Sequence, residues 1–393
     1  MAVQDLDGLL AEGVRGQRVF VRADLNVPLR DGKVADDSRL RASLPTLQRL
    51  LSARARVIVA SHLGRPKGER VSALSLRPVA ARLAQLIGTG VSFCDDCVGA
   101  RARAAIADLG EGQLLLLENL RFHAGEERND PDLARSLAAL ADIYVNDAFG
   151  TAHRAHASTA GMTAHFERVA AGDLMTAELR HLQVIREPIR PLLVLLGGAK
   201  VSDKLGVLEA LAPHADAIAI GGAMAYTFIA ANGGATGDSR IEPDRIADAL
   251  AVQRAVRDAG RRLLLPSDHV VADRFAPEAA TRVVAEIPEG AIALDIGPET
   301  ARRYAAESAL AKTIFWNGPM GVFEWESAAA GTRAVAAAVA ASAATSVVGG
   351  GDSLAAIQQL GLGDRFDHLS TGGGASLEYV QGLTLPGVAA LER

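Results

Sequence analysis

The sequence predicts an α/β protein built as two doubly wound, Rossmann-like parallel-sheet lobes joined by a helix hinge. Three observations predict it. Short runs of Val, Ile and Leu alternate with amphipathic segments almost throughout, the pattern of buried parallel strands joined by helical crossovers. Polar motifs fall just after those apolar runs, where open α/β sheets bind their ligands. A chain of 393 residues with 49% hydrophobic content also exceeds what one core of ordinary size holds.

Taken in order, buried parallel strands are expected at Arg18 to Val21, Arg56 to Ala60, Leu114 to Leu117 and Ile143 to Val145. They continue at Leu192 to Leu196, Ala217 to Ile220, Leu263 to Leu265, Ala291 to Leu294, Thr313 to Trp316 and Ser346 to Val348. Helical periodicity marks Ser38 to Leu51, Asp132 to Leu140, Asp244 to Asp258, Glu299 to Glu307 and the alanine-rich Ser327 to Ala343. Between the two sets, Leu174 to Arg186 reads as one helix, stopped by Pro188 and Pro191. The domain connection is placed there, at residues 174–188, with lobes over 1–173 and 189–378. No repeat and no low-complexity tract is evident.

Charge and composition exclude several functions. A net charge of -5 argues against nucleic acid or an acidic membrane as the main partner, since phosphate-backbone binding usually leaves a basic balance. Neither a signal peptide nor a membrane span is indicated, so a soluble cytoplasmic protein is the default. Cys94 and Cys97 have C-x-x-C spacing, but Asp95 and Asp96 between them raise the thiol pKa and no second pair completes a zinc site.

The first half is rich in anion-gripping side chains: Arg22, Arg39, His62, Arg65, Arg121, His153, Arg154 and His156 each lie in or beside a post-strand loop or helix start. Any one alone reads as a surface ion pair or a satisfied histidine. Together, with Asp24 and Asn26 as hydroxyl partners at the same sheet edge, they suit a small hydroxylated, phosphorylated acid.

The second half carries glycine and lysine instead. Gly197 to Lys204 follows a strand and is expected to open a helix, with Lys200 and Lys204, two of only five lysines, on one helical face. Gly349 to Ser353 repeats the logic: a strand, three glycines, then a helix start suited to polyphosphate. Asp352 reads either as the N-cap or as a ligand of a bound Mg²⁺. Gly221 and Gly222, with Ala223 and Met224, suit a flat slot for a base. Neither stretch matches the Walker pattern, and the protein-kinase motif set is missing.

Together these motifs resemble those of the phosphoglycerate kinase family, over essentially the full chain. The carrying segments are Arg22 to Pro28, Asp36 to Arg39, Ser61 to Pro66, Glu118 to Phe122, Gly150 to His156, Gly197 to Lys204, Trp316 to Glu324 and Gly349 to Ser353. The resemblance implies a monomeric, hinge-bending enzyme without nucleic-acid or membrane partners. Its first lobe, joined by a C-terminal segment at about 379–393, binds 3-phosphoglycerate, and its second binds Mg-ATP or Mg-ADP. It implies that Arg22, Asp24, Asn26, Arg39, His62, Leu63, Gly64, Arg65, Arg121, His153, Arg154 and His156 hold the phosphoglycerate. Lys204, Gly221, Gly222, Ala293, Glu324, Gly350, Gly351, Asp352 and Ser353 match nucleotide positions, Asp352 serving the metal. Arg39, Lys200, Lys204, Gly350 and Gly351 surround the transferred phosphoryl. Four residues depart from the family pattern: Ala23, Asp173, Ala223 and Ala293. Two alternatives remain open, a kinase for another small acid and a non-catalytic phosphometabolite-binding regulator.

Overall fold

The computed structural model describes residues 3–392. Two compact units divide the chain: one runs through Leu179 and resumes from Thr384, the other spans Arg180 to Leu383. Residues 1, 2 and 393, the outer limits expected for the first lobe, lie outside the described residues.

In the first unit, α1 (Leu6–Glu12) is capped by Asp5, whose carboxylate accepts from the Gly8 N–H at 2.9 Å. There follow β1 (Arg18–Ala23), a short hairpin of β2 (Leu29–Arg30) and β3 (Lys33–Val34), α2 (Ser38–Ser52), β4 (Arg56–Ala60) and α3 (Arg77–Ile87). Then come β5 (Val91–Cys94), α4 (Gly99–Ala107), β6 (Leu114–Leu117), α5 (Pro131–Ala138), β7 (Ile143–Asp147) and β8 (Val169–Ala171). The six-stranded sheet has the order β5-β6-β4-β1-β7-β8, with every pairing parallel. Helix α2 turns Leu40, Leu47 and Leu50 onto the sheet, where they meet Val19, Val21, Val57 and Val59 in one core cluster. Strand order reverses across β1, between β4 and β7, so the carboxyl ends of these strands flank a switch-point crevice.

The division between units falls within α6 (Asp173–Arg186). Its start belongs to the first unit, where Asp147 at the end of β7 accepts from the N–H groups of Leu174 at 3.0 Å and Met175 at 3.3 Å. The second unit continues with β9 (Leu192–Leu196), α7 (Leu205–Leu211), β10 (Ala217–Ile220), α8 (Met224–Ala231), α9 (Ile246–Asp258) and β11 (Arg262–Leu264). Three short strands follow, β12 (His269–Ala272), β13 (Arg282–Val284) and β14 (Ile292–Ile296). After them lie α10 (Pro298–Leu310), β15 (Thr313–Asn317), α11 (Ala330–Ala341), β16 (Thr345–Gly349), α12 (Gly351–Gln359), β17 (His368–Leu369) and α13 (Gly374–Val380). The main sheet, β11-β10-β9-β15-β16-β17, is again wholly parallel and reverses across β9. Trp316, the largest fully buried side chain, packs with Leu193, Leu195 and Val348 in its core.

One expected parallel strand differs. The segment read as Ala291 to Leu294 is β14, which lies outside the main sheet and pairs antiparallel with β12. The connections from β12 to β13 and on to β14 contain no helix, so the chain turns back on itself without the long crossover that parallel pairing needs. Finally, α14 (Pro386–Ala389) returns to the first unit, where Gly387 N–H donates to Ala152 O at 2.8 Å and Asn146 Nδ2 donates to Gly387 O at 3.2 Å.

Candidate active site

In the first unit, β1 delivers Arg22 into the interior, where its side chain is fully buried. The guanidinium is held by Ser158 Oγ, which accepts from Nε at 2.9 Å, and by Ala23 O, which accepts from Nη1 at 2.5 Å; Nη2 lies 3.3 Å from His62 Nδ1. His62 sits just past β4 and is itself buried. Burial first, then the neighbouring Arg22, Arg121 and Arg39, hold its imidazole well below the usual histidine range. The same kind of environment, led by burial and then by Arg22, Arg121 and Arg154, pushes His156 down to about 4. Both rings are therefore neutral at neutral pH, and the positive charge at this sheet edge belongs to arginine.

Just past β1, the Asp24 carboxylate accepts from Nη1 of Arg39, which stands in the first turn of α2. Asn26 Oδ1 accepts from the Gly64 N–H at 2.9 Å, and Arg121 Nη1 donates to Gly64 O at 2.8 Å, with Arg121 Nε 3.2 Å from Glu127. Asn119 laces the loop after β4 to the loop after β6. Its Oδ1 accepts from the N–H groups of Leu63 and Arg121, each at 3.1 Å, and its Nδ2 donates to Leu63 O at 2.7 Å. Arg154 donates from Nε to His153 Nε2 at 3.1 Å and is exposed. Arg65 is exposed and makes no hydrogen bond or ion pair with any described residue. The structure thus gathers the basic residues of the sequence at the carboxyl ends of β1, β4, β6 and β7. Asn119, Ser158 and Glu126, which support them, carry no charge pattern that marks them as site residues.

In the second unit, the loop after β9 packs so closely on the loop after β15 that a Cβ on Gly197 would fall 2.0 Å from Pro319 O. The helix expected to open within Gly197 to Lys204 starts later: α7 begins at Leu205, with Lys204 as its N-cap. Lys200 and Lys204 therefore do not share a helical face. The turn at Ser202 to Lys204 separates them, because Ser202 is tied down by Glu242, whose carboxylate accepts from its N–H at 3.1 Å and its hydroxyl at 2.6 Å. Lys200 adds electrostatic stabilisation to the Glu242 carboxylate, whereas Lys204 donates its ammonium to Asn317 Oδ1. Burial lowers the Lys204 pKa, and Asp203 and Asp352 act to raise it.

Asn317, missed as a site residue although it lies in the Trp316 to Glu324 segment, is fully buried at the end of β15. Its amide Nδ2 has no hydrogen-bond partner among the described residues and faces the turn after β16, lying 3.2 Å and 3.1 Å from where Cβ atoms would stand on Gly349 and Gly350. Gly350 holds φ at +92°, a region side chains rarely adopt, and is the N-cap of α12. The reading of Asp352 as N-cap is corrected: it sits in the first turn, exposed, and makes no hydrogen bond or ion pair with a described residue. Ser353 is buried and its Oγ accepts from the Gly318 N–H at 2.6 Å, joining the loops after β15 and β16. A cleft of about 480 Å³ opens beside these loops, lined by Gly198, Ala199, Gly222, Ala223, Ala293, Phe323, Glu324 and Asp352, with Phe275, Asp238 and Arg240 also on its wall. Gly221 lies behind it, against Met320.

Cys94 and Cys97 are free and buried. Burial raises both thiols, and Cys97 donates to Glu118 O at 2.8 Å. Among the described residues, no group of three or more His, Cys, Asp and Glu side chains is placed to hold a metal, and no helix is long and apolar enough to cross a membrane.

The family model of phosphoglycerate kinase matches residues 9–383. The chain belongs to the phosphoglycerate kinase family. Phosphoglycerate kinases of Acaryochloris marina and a Synechococcus species are 51% and 50% identical to it, each aligned over 100% of this chain and over 100% and 99% of the relative. Among solved structures, the phosphoglycerate kinase of Coxiella burnetii superposes with a TM-score of 0.91 at 39% identity, covering 99% of each chain. That of Pyrococcus horikoshii gives 0.83 at 34% identity, covering 99% of this chain and 98% of its own. Membership of the phosphoglycerate kinase family makes the chain a phosphotransferase whose acceptor is a carboxyl group.

Proposed function

We propose that the chain catalyses reversible transfer of the ATP γ-phosphoryl to the carboxylate of 3-phosphoglycerate, giving ADP and 1,3-bisphosphoglycerate. The supporting observation is the pairing of two anion sites of different chemistry, arginine around β1 in one unit and glycine with lysine around β9 in the other. Arg121, Arg154, Arg65, His62, His153 and His156 grip the acceptor's phosphate and carboxylate, and Asp24 and Asn26 take its hydroxyl; Arg22, expected among them from the sequence, is fully buried and supports them from behind. The backbone at Leu63 and Gly64 lines the same pocket. Gly222, Gly350 and Gly351, with Ala293, Glu324, Ser353 and Lys204, hold the nucleotide; Gly221, expected among them from the sequence, stands behind the cleft against Met320.

A carboxylate is already a nucleophile, so the site needs no general base. The neutral, buried His62 accords with that, since it is wedged against arginines that disfavour its taking up a proton. Catalysis consists of in-line positioning and of neutralising charge on the transferred group by Arg39, Lys200, Lys204 and the start of α12. Mg²⁺ fits the residues present: Mg²⁺ riding with a nucleotide needs only one or two protein carboxylates, and Asp352 is exposed on the cleft with no described partner. Asp352 would hold the ion, which would supply positive charge to offset that of the phosphates. Hinge closure then excludes water that would hydrolyse the acyl phosphate. The enzyme is proposed to be monomeric and cytoplasmic.

The test is ADP production from Mg-ATP with 3-phosphoglycerate, with the acyl phosphate removed by a coupled reaction, beside controls lacking acid and containing acetate. Turnover only with 3-phosphoglycerate supports the proposal. Turnover with acetate points to a kinase of other acids, and binding without turnover to a regulator.

A further inference from the structure

Behind the arginine cluster sits an acid to which phosphoryl transfer gives no task. Glu126 is fully buried, and its two carboxylate oxygens are both taken by one residue. Ser158 Oγ donates to Oε1 at 2.5 Å and Ser158 N–H donates to Oε2 at 3.0 Å. A serine hydroxyl has a single proton. With that proton given to Glu126, only lone pairs remain to face Arg22, whose Nε donates to the same Oγ at 2.9 Å. Donation therefore runs one way, from Arg22, which has only donors, to Ser158, whose single hydroxyl proton goes on to Glu126.

The surroundings are built to hold this relay. Ala157 N–H donates to Glu126 O at 3.0 Å, and Tyr144 Oη donates to Ser158 O at 2.8 Å from a fully buried ring. His156 Nδ1 lies 3.9 Å from Glu126 Oε1, so the acid also adjoins a second ring of the cluster. Burial pushes the Glu126 carboxyl up while Arg22, Ser158 and Arg121 draw it down. Each oxygen accepts one hydrogen bond from Ser158, and the Arg22 guanidinium is the first of the groups drawing the carboxyl down against burial.

We propose that Glu126 is a positioning residue for the phosphoglycerate site, holding the buried Arg22 guanidinium through Ser158 so that its Nη2 keeps the His62 ring in place at the sheet edge. The proposal rests on the reading that the Arg22 cluster holds 3-phosphoglycerate. Glu126 never touches the ligand, so its effect belongs to acceptor binding and not to the nucleotide.

Steady-state kinetics and melting curves of the full chain test it, on Glu126→Gln, Ser158→Ala, Arg22→Lys and the double variant Glu126→Gln with Arg22→Lys. Losing one charge-assisted contact should raise the KM for 3-phosphoglycerate about tenfold or more in Glu126→Gln and Ser158→Ala, with the Mg-ATP KM within about twofold. The effect of Glu126→Gln should shrink in the Arg22→Lys background, because the relay has then lost its cargo. Wild-type KM in both single variants, or fully additive effects, overturns the relay. Failure of both to fold also overturns it, by assigning Glu126 to holding the unit together. An unchanged KM in Arg22→Lys alone sinks instead the reading that the cluster around Arg22 holds the acceptor.

Discussion

Asp24 engages Arg39 through a single nitrogen: Nη1 reaches both carboxylate oxygens, at 3.1 and 3.0 Å, while Nε and Nη2 make no hydrogen bond to any described residue. The arginine is thus restrained at the sheet edge with part of its fork uncommitted, and its side chain is partly exposed. A group tethered in this way is ready to meet an anion that arrives later.

Arg39→Ala should therefore lower kcat by roughly 10³-fold, the scale of an arginine contacting a transferred phosphoryl, and change the nucleotide KM little. Arg39→Lys should recover only part of the loss, since a point charge cannot both keep the Asp24 contact and present a planar fork. Initial rates at saturating acceptor check both. A normal kcat with both KM values raised would remove Arg39 from the transfer step.

Asn317 makes a second case. Its Oδ1 holds the Lys204 ammonium, and its Nδ2 points at the turn around Gly350 without a partner among the described residues. Asn317→Ala leaves a half-buried ammonium unpaired and removes that donor, each worth about 1–3 kcal/mol. The expected result is a fall in kcat/KM for Mg-ATP on the order of 10²-fold, with the KM for 3-phosphoglycerate retained. Calorimetric titration with ADP separates lost affinity from lost chemistry.

Much of this was legible in the sequence because parallel strands buried on both faces are written as unbroken apolar runs. Arg56 to Ala60, Leu114 to Leu117, Leu192 to Leu196 and Ala217 to Ile220 match β4, β6, β9 and β10 residue for residue. Both edge strands of the first sheet escaped: β5 reads Val-Ser-Phe-Cys and β8 reads Val-Ala-Ala, too short or too polar to stand out. β14 was legible as a strand but not in its direction, which depends on the lack of a helix between β12 and β14. In the site, charge and glycine pointed to Arg22, His62, Lys204 and Gly350. The neutral groups that orient them, Asn119, Ser158 and Asn317, act through contacts 50 or more residues apart in all three cases, which local pattern does not encode.

Gly350→Ala tests whether the turn after β16 needs its backbone shape. A methyl there has to adopt φ near +92° and meets Asn317 Nδ2 at 3.1 Å. Backbone strain of about 1–2 kcal/mol in stability is expected, with the Mg-ATP KM raised about tenfold as the N–H groups of α12 shift. Thermal melting and nucleotide kinetics read the two effects separately. A variant with wild-type values for both would show that the turn tolerates a side chain.

The buried histidines give the stability curve a sign. His156 has its folded pKa pushed down to about 4, while the unfolded chain titrates near the ordinary imidazole value of 6.5. Between those values the unfolded state binds a proton that the folded state refuses, so stability falls as pH drops from 6.5 toward 4, by about 1.4 kcal/mol per pH unit. Asp147 and Asp295 act in the opposite direction: burial raises each to about 7, so the folded state binds more protons and loses their contribution as pH rises through that value. The total curve mixes these, and the difference between His156→Gln and the wild type isolates the histidine. Urea unfolding of ligand-free enzyme at several pH values should show wild-type stability dropping more steeply than the variant's between pH 6.5 and 4, by up to roughly 3 kcal/mol in all. Parallel curves would mean that His156 takes up its proton in the folded protein, and that the arginines around it do not keep the ring neutral.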